Sequence, residues 1–78
     1  MSVKRMVEYH ISRLKDKRTN IRLEAIQELV LLGAVEALDM LEEVYRTDAE
    51  ESVRRAAKDA GKQLFTQQLQ ERNRNKGT

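Results

Sequence analysis

One spacing constrains this chain more than any other. The pattern Asp16-x4-Ile21-Arg22-x2-Ala25 returns 32 residues later as Asp48-x4-Val53-Arg54-x2-Ala57. Self-similarity at a period of roughly 20–50 residues marks stacked supersecondary units, none of which buries its apolar face alone. Units of this kind build surfaces for binding rather than enclosed pockets for chemistry.

Apolar spacing near 3.6 residues resolves the chain into four helical segments. The first spans about Val3 to Lys15, with Val3, Met6, Val7, His10, Ile11 and Leu14 on one face. The second spans about Asn20 to Leu32 and has two apolar stripes, Ile21, Ala25, Leu29, Leu32 and Leu23, Ile26, Val30. A helix with two greasy sides has neighbours on both, which puts it in the middle of the bundle. The third spans about Ala34 to Arg46, burying Ala37, Leu38, Leu41, Val44 and Tyr45, with Glu36, Asp39 and Glu43 opposite. The fourth starts near Ala49 and reaches Leu69 or beyond, with Val53, Ala57, Ala60 and Leu64 inward.

Stop signals fit these limits. Thr19 or Asn20 is expected to cap the second helix, and Gly33 stands where a left-handed terminating residue belongs. Asp48 with Glu51 three residues on resembles a capping box. The short links predict antiparallel neighbours, including helices two and three. The fold class is therefore all-α, two stacked antiparallel helical hairpins. One domain covers residues 1–70, with repeats at about 3–33 and 34–69, followed by a flexible polar tail at 71–78. The absence of proline and the presence of only three glycines leave strands without their punctuation.

Each repeat places an Asp in the turn leaving its first helix and an Arg in the first turn of its second. The carboxylate can accept free amides at the helix start, and the guanidinium can bridge to the Asp of the adjacent repeat. Asp16, Arg22, Asp48 and Arg54 then form a structural ladder, while Ala25 and Ala57 allow close helix approach. This constellation closely resembles the HEAT repeat family, in particular the short subtype of phycobilin-attaching lyases. That family's pattern is an Asp, a β-branched residue followed by Arg, then Ala and Leu at helical spacing. Here it reads Asp16, Ile21-Arg22, Ala25, Leu29, Gly33 and again Asp48, Val53-Arg54, Ala56-Ala57, Leu64. The first helices match at an offset of 30, with Val7, Ile11 and Leu14 falling on Ala37, Leu41 and Val44. In the second repeat Gly61 takes the place of Leu29 and Phe65 that of Gly33. The last helix should then run on as a terminal cap, and Gly61 is expected to admit a close neighbour.

Composition excludes several functions. No cysteine occurs, so disulfides, thiolate metal sites and thiol nucleophiles are out. His10 is the only histidine and sits at helical spacing among apolar residues, as a packing histidine does. No glycine-rich phosphate cradle or metal-ligand spacing is present, and no enzyme activity, cofactor or metal is expected. The longest apolar run, Leu29 to Leu32, is far short of the roughly 20 residues that span a bilayer. Charges throughout residues 1–15 argue against a secretory signal. A cytoplasmic protein with no membrane association is expected.

The resemblance implies that the second helix of each repeat lines the concave, partner-facing side. The residues expected to bind a partner there are Glu24, Gln27 and Leu31 together with the basic stripe Arg55, Lys58 and Lys62. Such a stripe suits an acidic segment of another protein. Charge is uneven: residues 36–51 carry seven acidic and one basic side chain, net −6, and residues 52–78 carry net +5. Two repeats are marginal for a solenoid, so a homodimer through an exposed repeat end is a further expectation. Val30, Leu31, Phe65 and Leu69 are the apolar residues left for such docking. A rival reading sets the stripe with Lys4, Arg5, Arg13, Lys15, Lys17, Arg18, Arg72, Arg74 and Lys76 against nucleic-acid phosphates. The acidic third helix and the scarcity of aromatics oppose it. A role as accessory factor of a phycobilin lyase is implied by the repeat subtype alone.

Overall fold

The computed structural model describes residues 2–76, the last two by their backbone alone. Four α-helices follow in order: α1 (Val3–Arg13), α2 (Thr19–Leu31), α3 (Leu38–Thr47) and α4 (Glu51–Lys76), with a 3-10 turn at Val35–Ala37 before α3. The described residues form two helical hairpins, α1–α2 and α3–α4, stacked through α2 against α4. The 32-residue duplication is thus structural.

Where the hairpins meet, burial follows the two apolar stripes of α2. Ala25, Ile26 and Leu29 are buried, while Leu23, Val30 and Leu32 pack half-buried around them. On α4, Val53, Ala57, Ala60 and Leu64 join the same core, at helical spacing along one stripe. The alanines allow close helix approach, and Leu29, Leu41 and Leu64 are fully buried between helices. Ile21 and its equivalent Val53 differ in burial. Val53, on the helix shared by both hairpins' core, is fully buried, whereas Ile21 is half-buried.

Local chemistry sets the helix ends. Ser2 caps α1, its hydroxyl accepting the Arg5 amide at 3.2 Å. Gly33 ends α2 at φ +62°, with its amide donating to the Val30 carbonyl and that of Ala34 to Leu29, each at 3.0 Å. This paired pattern satisfies carbonyls that the last helical turn leaves open, and it needs the left-handed backbone that glycine adopts without strain.

Several expectations are corrected. Neither Thr19 nor Asn20 caps α2; Arg18 holds the cap position without a side-chain bond, and Asp16 accepts its amide at 2.9 Å. Asp48 and Glu51 form no capping box, because Asp48 accepts the Glu50 amide at 2.9 Å while Glu51 pairs with Arg55. The link after Gly33 includes the 3-10 turn, which swings α3 onto α4, so α2 rests on α1 and α4 rather than on α3. Val3 and Tyr45, placed in the core by periodicity, lie at 62% and 42% exposure on the rims of their helices. Gly61 admits no close neighbour, since a Cβ there would meet nothing within 4 Å. The structure continues α4 through residues 71–76, because Gln, Glu, Arg and Lys favour helix and no breaker intervenes before Gly77. Gly77 and Thr78 lie outside the described residues.

Candidate functional site

The polar ladder fixes how the hairpins sit. Arg22 donates from Nε to Asp48 Oδ2 at 2.8 Å and from Nη2 to Asp48 Oδ1 at 3.1 Å, a two-pronged grip between repeats. Its Nη1 donates to the Asp16 and Lys17 carbonyls at 2.9 and 3.0 Å, closing the turn before its own helix. Arg54 repeats the second of these roles, with Nη1 on the Asp48 carbonyl at 2.7 Å. Burial by itself would push the Asp48 carboxyl up. The hydrogen bonds from Arg22 and the Glu50 amide, with the charges of Arg22 and Arg54, outweigh it and hold the group below its ordinary value. Asp16 lies lower than usual too, at about 2, through the Arg18 side-chain hydrogen bond first and the Arg18 amide second.

This scaffold presents two grooves. The first, of about 490 Å³, runs between α2 and α4. Its floor is Leu23, Ile26, Val30, Ala56 and Ala60, and its rim is Gln27, Leu31, Asp59 and Gln63. Leu31 stands 73% exposed at the lip, the most exposed of the large apolar side chains among the described residues. The second, of about 310 Å³, runs between α3 and α4 on the C-terminal end of the stack, where Tyr45 and Phe65 are exposed.

The residues expected to bind a partner divide between these surfaces. Gln27 and Leu31 line the first groove together, and Lys58 lines the second, its ammonium 5.9 Å from the centre of the Tyr45 ring. Glu24, Arg55 and Lys62 are exposed and line neither groove, and Arg55 is tied to Glu51 at 2.6 Å. The basic stripe lies on the side of α4 opposite its core stripe, where no part of the α2–α4 groove reaches. Sequence reasoning missed Asp59 and Gln63; their spacing four apart, one turn from Ala56 and Ala60, was the available signal.

Of the cations proposed against phosphates, Arg18 is paired with Asp16, and Arg13 lies over the Tyr9 ring with Nη1 donating to its hydroxyl. His10 is half-buried with its ring edge-on to Tyr9, 5.1 Å between centres. Among the described residues no group of three or more His, Asp or Glu is placed to hold a metal ion, and no helix is long and apolar enough to cross a membrane. A protein-family model described as HEAT repeats matches residues 2–60. No curated protein and no solved structure matches the chain.

Proposed function

Because the chain belongs to the HEAT repeat family, whose repeats generally serve as protein-interaction modules, we propose that it is a non-catalytic adaptor that takes a segment of another protein into the α2–α4 groove. The supporting observation is Leu31. A leucine 73% exposed beside a continuous apolar floor is a side chain that gains by being covered. The occupant is a helix or extended strand carrying apolar side chains, with backbone or polar groups positioned by the amides of Gln27 and Gln63. Its recognition is apolar with an amide rim, so the outward-facing Arg55, Lys58 and Lys62 are peripheral to it and an acidic segment is not required.

Covering Leu31 is worth about 1.5–3 kcal/mol, so Leu31→Glu weakens partner binding by at least about tenfold. The test is a photo-crosslinking amino acid placed at position 31, compared with one at position 43 on the outer side of α3, in the native cell. A discrete adduct from position 31 that is missing from position 43 is the expected result. Equal labelling at both positions, or none at 31, refutes this reading.

A further inference from the structure

The two ends of the stack differ in a way that determines how copies of this chain meet. At the N-terminal end Arg18 grips Asp16 of its own hairpin, Nε to Oδ1 at 3.0 Å and Nη2 to Oδ2 at 3.1 Å. The position equivalent to Arg18 in the second hairpin is Glu50, and there the carboxylate of Asp48 is left for Arg22. The first carboxylate of the ladder is therefore already taken. At the C-terminal end Arg54 has the same backbone anchor as Arg22. The Nε–Nη2 edge with which Arg22 holds Asp48 finds no carboxylate on Arg54 among the described residues.

Beside Arg54, the α3–α4 groove has banks of opposite charge. Asp39 and Glu42 stand on the α3 bank, Lys58 on the α4 bank, and Arg54 lies one helical turn before Lys58. Between and beyond them Tyr45, Phe65 and Leu69 are 42%, 53% and 40% exposed.

We propose that two copies of this chain join through this end face, back to back about a two-fold axis running along the groove. Such an axis lays the acidic α3 bank of each copy over the basic α4 bank of the other, so every complementary contact is made twice. The aromatic rings of both copies are covered between the banks. Head-to-tail stacking needs a free ladder carboxylate at the N-terminal end, and Arg18 has removed it. The assembly consequently closes at two copies instead of growing. The α2–α4 groove lies on a different side and remains open in the dimer, so this proposal stands apart from the function proposed above.

Sedimentation equilibrium of the full chain over about 1–200 µM tests it. The expected mass rises from 9.1 kDa toward twice that value. Phe65→Glu keeps the 9.1 kDa mass throughout, with helicity by circular dichroism unchanged because Phe65 lies outside the core. E42K and K58E each weaken association by at least about tenfold. An equimolar mixture of the two restores it, since both of its two-fold contacts again oppose unlike charges. L31E leaves the dimer intact. A single-chain mass at the highest concentration overturns the proposal. So does a dimer indifferent to F65E, a mixture no tighter than its components, a dimer lost in L31E, or a mass that grows past two copies.

Discussion

Arg22→Met removes the guanidinium that ties the two hairpins while keeping an apolar stem in its place. It leaves Asp48, whose side chain is only 8% exposed, without its hydrogen-bonded guanidinium, with the charge of Arg54 remaining nearby. Breaking a buried pair from one side costs about 3–5 kcal/mol; the 12% exposure remaining at Arg22 places this case at the lower end, about 3 kcal/mol. Asp48→Asn keeps a side-chain oxygen for the Glu50 amide and leaves Arg22 its two carbonyl partners, so it costs less, about 2 kcal/mol. Independent losses would sum to about 5 kcal/mol in the double variant, but one shared bond lost once gives about 3, a coupling of about 2 kcal/mol. Arg54→Met is the internal control: the same residue type at the equivalent position, holding only the Asp48 carbonyl, costs about 1 kcal/mol. Urea unfolding followed by circular dichroism in dilute protein measures all four. For a domain of this size R22M also lowers the thermal midpoint by on the order of 12–24 °C. Equal costs for R22M and R54M, or a double variant equal to the sum of its singles, refutes the ladder as the tie between hairpins.

The two inner glycines are expected to respond in opposite directions in thermal melts. Gly33→Ala loses about 1–2 kcal/mol because φ +62° is strained for any residue with a Cβ; the nearest obstacle, Gln67 Oε1 at 3.2 Å, is a side-chain end that can swing aside. Gly61→Ala gains about 0.5–1 kcal/mol, since it adds a helix-favouring residue into open space; a loss there would mean that the space is occupied. Acid stability follows from Asp16 at about 2 and from the lowered Asp48. A carboxyl that is more acidic folded than unfolded stabilises the fold above its unfolded value, near 4, and that contribution disappears as pH falls through the folded value. Urea midpoints should hold from pH 7 to about 5 and drop between about pH 4 and 2, with a shallower drop in D48N; an identical drop in D48N contradicts the assignment.

The ladder and the helix order were legible because they rest on spacing: six residues from Asp to Arg, 32 from repeat to repeat. The middle position of α2 was legible from its two apolar stripes, and Gly33 from its place after Leu32. Other features depend on what lies across a gap, which one-dimensional periodicity does not record. Tyr45 reads as core by spacing, yet it stands 42% exposed on the rim of α3. Arg55, Lys58 and Lys62 share a stripe on the wheel, but the direction of that stripe depends on where α2 and α3 settle against α4. Caps were misread for a local reason: α2 already begins at Thr19, so Thr19 and Asn20 lie inside its first turn, and Asp16 reaches forward to accept the Arg18 amide ahead of them.

α1 leans on α2 as its main neighbour and contributes Val7 as its one fully buried helical residue, whereas α2 and α4 are each held on two sides. Amide protons of α1 should therefore exchange with solvent well before those of α2 and α4. Arg22 and Asp48 lie beyond its end, so the first helix can peel away and re-zip while the joint between hairpins stays locked. Opening of this molecule is accordingly staged, beginning at its N-terminal edge.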